Sequence, residues 1–184
     1  MLNVKSAKII KDLKLKIRNI PDFPQKGIIF RDIAPLLEDK KAFRKAIDIL
    51  VEKLKNKKVD KVVGVDARGF ILAGILADRL KAGMVMVRKK GKLPYETEEV
   101  EFDLEYGKAV LEIHKDSIKK GERVLLVDDV LATGGTMEAT AKLVKKLGGK
   151  IVGIAFLIIL DYLPGRKKLK RYPLYSLISY KEGE

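Results

Sequence analysis

"RVLLVDDVLATGGTMEAT", residues 123–140, decides how this chain folds. Its apolar run at 124–127 ends in two adjacent aspartates. A short apolar run bounded by turn residues reads as a buried strand, predicted over 123–127. The small-residue loop "ATGGT" follows, and residues 136–147 then carry helical spacing. Strand, glycine-rich turn and helix in that order form a βα unit.

The loop has its own chemistry. Paired glycines let the backbone turn its N–H groups toward one point, a nest for anions. The N-terminus of the following helix adds partial positive charge, and Thr133 and Thr136 add hydroxyl donors. Asp128 and Asp129 repel a phosphate, so they are expected to bind another part of the same ligand. Sugar hydroxyls suit them, since each can donate to a carboxylate oxygen. A phosphate cradle beside a diol acceptor points to a ribose 5-phosphate site. The bland alternative makes Thr136 an ordinary helix N-cap behind two aspartates in local ion pairs. A third reading takes "VLLVDD" as the magnesium-holding strand of a nucleoside triphosphatase. That chemistry needs a G-x-x-x-x-G-K-[ST] loop, and the chain has none; it has no G-x-G-x-x-G either.

The same alternation extends outward. Residues 4–18 fit an amphipathic helix. The stretch 20–37 is too rich in Pro and Gly for one regular element. A helix is predicted over 39–56, strands over 59–65 and 84–88, and a buried helix over 70–80. Residues 89–116 read as a long loop or β-hairpin flap, 150–160 and 174–180 as the last strands. Alternating strands and helices predict an α/β fold with a mainly parallel sheet flanked by helices, in one domain over 1–184. Such sheets bind ligands at the carboxyl ends of their strands, where both "DARG" (66–69) and "DDVLATGGT" fall.

Composition bounds the function. With 184 residues, 47% hydrophobic and 35% charged, the chain has the profile of a globular protein with a full core. No apolar run reaches membrane-spanning length, no signal-peptide pattern opens the chain, and the cytoplasm is the expected compartment. Cysteine is absent, which excludes disulfides and thiolate chemistry. The net charge of +14 fits an anionic substrate, a nucleic-acid partner or a Lys/Glu-rich surface of hyperthermophile type. His114, the only histidine, receives no role, and no His/Asp/Glu cluster has the spacing of a transition-metal site.

Further stretches carry a resemblance. "VLLVDDVLATGGT" (124–136) is similar at every position to the PRPP (phosphoribosyl pyrophosphate) signature of type I phosphoribosyltransferases. "IPDFPQKGIIFRDIAPLL", "GVDARGF", "VRKKGKLP", "LEYGKAVLEI" and "GRKKL…YPLYSLISY" resemble the adenine phosphoribosyltransferases within that group, over about residues 20–180. The resemblance implies a Rossmann-like fold with a flexible flap (89–116) and an N-terminal hood segment (1–37). It implies transfer of the phosphoribosyl group from PRPP to adenine, giving AMP and pyrophosphate, with Mg²⁺ brought on PRPP and a homodimer as the assembly.

It also implies roles. Ala132, Thr133, Gly134, Gly135 and Thr136 would hold the 5-phosphate. Asp128 and Asp129 would lie along the ribose hydroxyls, with a water-mediated link from either to Mg²⁺. Asp66, Ala67, Arg68, Arg88, Lys89 and Lys92 would face the pyrophosphate, with Arg68 also catalytic. Ile29, Phe30, Arg31, Val130 and Leu131 would surround adenine, and Glu105 would be the catalytic acid/base group. The rivals are a hypoxanthine or guanine transferase and a PRPP-sensing regulator that binds nucleic acid. The second should lack the flap glutamate and carry an additional DNA-binding domain.

Overall fold

The computed structural model describes residues 4–103 and 107–184. The chain divides into two compact units, Met1–Ile49 and Leu50–Glu184.

The first unit begins with α1 (Val4–Lys14). This helix is shorter than its periodicity suggests, because residues 18–21 are drawn into a strand instead. That strand, β1 (Arg18–Pro21), pairs antiparallel with β2 (Ile29–Asp32), in register from Arg18↔Asp32 to Pro21↔Ile29. The Pro/Gly-rich stretch is therefore a two-stranded ribbon closed by a long turn. Asp22 sits at φ 55°, and its carboxylate accepts the N–H of Gly27 at 2.7 Å. The short helix α2 (Ala34–Glu38) follows. Asp39 then caps α3 (Lys40–Leu54) by accepting the N–H groups of Lys41 and Ala42. Lys16, 2.9 Å away, is the main reason the Asp39 carboxyl titrates down at about 2. Along α3, Ile47, Leu50 and Leu54 form the buried stripe expected from their spacing.

The second unit is built on seven strands. In chain order its elements are β3 (Lys61–Val65), α4 (Arg68–Leu80), β4 (Gly83–Lys89), β5 (Thr97–Asp103) and β6 (Lys108–His114). There follow β7 (Arg123–Leu131), α5 (Gly135–Lys146), β8 (Lys150–Leu160), α6 (Gly165–Lys168) and β9 (Leu174–Tyr180). The order across the sheet is β5-β6-β4-β3-β7-β8-β9. Strands β4, β3, β7, β8 and β9 run parallel to one another; β6 runs antiparallel to both β4 and β5. Central strands buried on both faces explain the continuous apolar runs "KVVGV" and "VLLV". On one face Val63, Val65, Val124, Leu126, Ile154 and Phe156 pack with Leu143 and Val144 of α5.

The stretch 89–116 is a hairpin, paired from Thr97↔His114 to Asp103↔Lys108. It pairs with β4 at Arg88↔Glu112 and Lys89↔Leu111, and its Val100, Leu111 and Ile113 pack into the core. A second attachment comes from the far end of α5. There the Lys146 ammonium donates to Glu98 at 2.6 Å and to the Glu99 carbonyl at 2.9 Å.

Candidate functional site

Strand order locates the site before any side chain is considered. From β3 the chain passes through α4 to β4, on one side. From β7 it passes through α5 to β8, on the other. The direction reverses between β3 and β7, and an open α/β sheet leaves a crevice outside the strand ends at such a point. "DARG" follows β3, and "ATGGT" follows β7.

The two strands are unequal in length, which corrects the sequence reading. β7 does not end at Val127 but continues through both aspartates to Leu131. Its pairing with β3 stops at Gly64↔Val127, whereas β8 stays in register out to Leu131↔Ile159. The aspartates therefore stand on a strand supported from one side only. The start of α4 fills the other side: a Cβ on Gly69 would lie 2.9 Å from the Asp128 carboxylate. Glycine is required there by close approach, not by conformation.

Beyond Leu131 the backbone turns into the cradle. Gly134 adopts φ 82°, a left-handed conformation natural to glycine, and is the N-cap of α5. No side chain caps the helix. Thr136 is therefore not the N-cap; it lies inside the first turn, and its carbonyl accepts the Thr140 hydroxyl at 2.9 Å. An uncapped helix start leaves first-turn N–H groups for an anion. Asp128, Val130, Leu131, Ala132, Thr133, Gly134, Gly135 and Thr136 line one cavity of about 90 Å³, with Met137 and Phe156 behind them. Eight of the expected residues thus meet in one place.

The backbone of the cradle has a support that sequence reasoning missed. Gly165, first residue of α6, donates its N–H to the Ala132 carbonyl at 3.1 Å. A Cβ there would lie 2.3 Å from that same oxygen. The only trace in the sequence is a glycine after Pro164, a common turn pair.

The carboxylates are not equivalent. Asp129 is 4% exposed and pairs with Arg68, Nε to Oδ2 at 2.7 Å. Asp128 folds back to accept the Asp129 N–H at 2.9 Å. Desolvation, and then the neighbouring Asp129 charge, hold the Asp128 carboxyl well above the usual carboxylate range. A hydroxyl-bearing or cationic group entering the cavity would relieve that strain.

The "DARG" turn opens a second helix whose start is uncapped. Ala67 is the N-cap of α4, again with no side-chain cap, and the Asp66–Ala67 peptide is cis. Asp66 accepts from Arg88 Nε at 2.9 Å, while Arg88 Nη1 reaches the Lys92 carbonyl at 3.2 Å. Both arginines expected at a diphosphate thus rest on aspartates, Arg68 on Asp129 and Arg88 on Asp66. Lys89 and Lys92 are exposed beside them.

Glu105 lies outside the described residues. Ile29, Phe30 and Arg31 belong to the first unit, on β2. Ile29 is exposed, and Arg31 is buried with its guanidinium on Asn19 at 2.7 Å. Phe30 meets Phe23 edge to face, centroids 5.2 Å apart. Among the described residues no three of His, Cys, Asp and Glu stand together as a metal cage. Nor is any helix among them long and apolar enough to cross a membrane.

Known proteins resemble this chain in sequence and fold. The family described as phosphoribosyl transferase domain matches residues 34–183. The adenine phosphoribosyltransferase of Thermotoga petrophila is 57% identical over 169 residues, 92% of this chain and 99% of that protein. The crystal structure of adenine phosphoribosyltransferase from Rhodothermus marinus superposes with a TM-score of 0.90 at 50% identity, covering 95% and 99% of the two chains. The Saccharomyces cerevisiae enzyme, solved with an imino-altritol bisphosphate and adenine, gives 0.87 at 39% identity over 93% and 99%.

Proposed function

The chain belongs to the adenine phosphoribosyltransferase family, and from that premise we propose how its residues divide the reaction. The enzyme transfers the 5-phosphoribosyl group of PRPP to adenine, giving AMP and pyrophosphate. The observation that carries the residue assignment is the cavity that joins an uncapped helix start to Asp128 at the topological switch point.

In this reading the first-turn N–H groups of α5, with Thr133 and Thr136, hold the 5-phosphate. The ribose hydroxyls donate to Asp128 and Asp129. Breaking the bond from ribose C1 to pyrophosphate builds positive charge on the sugar and negative charge on the leaving group. Catalysis is then mainly electrostatic preorganisation. The carboxylates favour the cationic sugar. Arg68, Arg88, Lys89 and Lys92, with the α4 N-terminus, favour the departing diphosphate. Arginine suits this because its fork binds phosphate oxygens in pairs. Binding of PRPP draws Arg68 away from Asp129, so the same event arms the clamp and frees the carboxylate for the ribose.

Magnesium enters as part of the substrate. Among the described residues no third acidic or imidazole partner joins the two carboxylates, which fits an ion coordinated by PRPP oxygens and water, with Asp128 or Asp129 holding its water shell. When bound, the ion neutralises diphosphate charge and makes it a better leaving group. Val130 and Leu131 supply one apolar wall for adenine. By the family's pattern, backbone groups at Ile29 and Arg31 read the base, Phe30 stacks on it, and Glu105 handles the proton. A 6-amino group beside N1 pairs with a backbone C=O and N–H, and a 6-oxo base leaves those groups mismatched. Steady-state AMP formation with PRPP, Mg²⁺ and each purine in turn tests this. Adenine is expected to exceed hypoxanthine and guanine by about 10³ or more in kcat/KM; a preference for either 6-oxo base refutes the base assignment.

A substrate as highly charged as PRPP does not cross a bilayer unaided, so the reading places the enzyme in the cytoplasm. A homodimer fits an exposed apolar patch of Ile71, Met84 and Met86, 39–44% exposed, on neighbouring α4 and β4. Sedimentation equilibrium is expected to show twice the 20.7 kDa of one chain. A single-chain mass at micromolar concentration removes the dimer.

A further inference from the structure

We propose that Glu112 is a positioning residue that shapes the diphosphate-binding segment from within the sheet. The inference rests on the reading of Arg88, Lys89 and Lys92 as pyrophosphate ligands. Glu112 lies at the middle of β6, opposite Arg88 on one neighbouring strand and Glu99 on the other. It is 3% exposed, the deepest carboxylate among the described residues of this hairpin. Sheet packing alone does not call for it. A buried charge is costly unless fully hydrogen-bonded, and an apolar residue at that position would avoid the cost.

Its partners show what the charge does. Oε1 accepts the N–H groups of Lys92 and Leu93, both at 2.8 Å. The Gly91 N–H and the Thr97 hydroxyl lie close enough to help keep the carboxylate ionised. Gly91 stands at φ 81°, so successive N–H groups of this turn converge. Convergent N–H groups next to a diphosphate site would themselves be an anion nest. Here the protein fills the nest with its own carboxylate. The turn is thereby fixed, and Lys89 and Lys92 are presented outward from a rigid backbone. Arg88 is held in the same knot, donating to the Lys92 carbonyl whose own N–H is on Glu112. Burial raises the Glu112 pKa, but the N–H groups of Leu93, Lys92 and Gly91 and the Thr97 hydroxyl more than offset this. The group stays ionised and acts only as an acceptor.

Glutamine at this position keeps the volume but turns an NH₂ toward backbone donors. The experiment compares the full-length wild type with Glu112→Gln and Thr97→Val in both directions of the reaction. For Glu112→Gln, KM for PRPP and KM for pyrophosphate are expected to rise about tenfold, with KM for adenine and kcat within about twofold. Thr97→Val should move the same two constants in the same direction by less. Unchanged KM values for PRPP and pyrophosphate overturn the proposal. So does a parallel rise in KM for adenine with a drop in melting temperature, because that pattern marks general loosening. If Glu112→Gln does not fold, Thr97→Val decides by the same criteria. If the wild type itself makes no AMP from adenine and PRPP, the catalytic reading fails and the proposal falls with it. A wild type that turns over beside an unaffected variant overturns the positioning role alone.

Discussion

The Gly165→Ala variant is expected to lose at least about a hundredfold in kcat/KM for PRPP, because misplacing reacting groups by an ångström costs on that order. The added methyl would sit 2.3 Å from the Ala132 carbonyl oxygen and 2.7 Å from Leu131 Cδ1. Leu131 has little room to yield, since its side chain is packed in the core at 1% exposure. The loop from Ala132 to Gly134 must move instead, and with it the N–H groups at the start of α5. Gly134 transmits the shift, since even a Cβ on that residue would lie 3.0 Å from the Gly165 Cα. Adenine binding should change less than PRPP binding, because Leu131 is the one assigned adenine contact that touches α6. Steady-state kinetics with each substrate varied, beside a thermal melt, checks this. A normal KM for PRPP in a folded variant would mean that the cradle does not hold the 5-phosphate.

Arg68→Ala should lower the rate comparably, by about 10²–10³ in kcat, since it removes a donor aimed at developing charge. A second effect follows from the ion pair. Asp129 is 4% exposed, and the truncation leaves its carboxylate buried beside Asp128 without its cation. The loss of stability is estimated at about 1–2 kcal/mol, discounted because the Arg68 side chain is 40% exposed and partly screened. Pyrophosphorolysis of AMP should fall in step with the forward reaction, while the adenine dissociation constant should not change. Arg68→Lys should recover charge but not the paired geometry, and so only part of the rate. If Arg68→Ala weakens adenine binding more than turnover, the residue belongs to the base pocket and not to the diphosphate.

The features visible in the sequence are those that local pattern determines. Apolar runs of strand length, helical stripes and the glycine pair before α5 each report on their own few residues. They were enough to place the sheet, the cradle and the arginine turn. What escaped depends on distant neighbours. The strand through Asp128 and Asp129 looked as if it ended at Val127, because carboxylates are poor strand formers; β8 holds it in the sheet all the same. Thr136 looked like a cap because its residue type is right, but Gly134 takes that place by its left-handed backbone. Gly165 and Glu112 stand in stretches that resemble the family, but no local pattern tells their roles, since the first matters through Ala132 and the second through a turn about twenty residues away. The ribbon of β1 and β2 was hidden by its own prolines and glycines, which mark a break in regular structure without saying what lies on either side of it.

Helix α5 carries one more consequence. Its first residues bound the cradle, and Lys146 at its last turn grips the foot of the hairpin through Glu98 and Glu99. Twelve helical residues make a stiff rod about 18 Å long, which transmits axial displacement with little bending. In the proposed reading the seat of the 5-phosphate and the foot of the hairpin are therefore held at a fixed separation by one rigid helix.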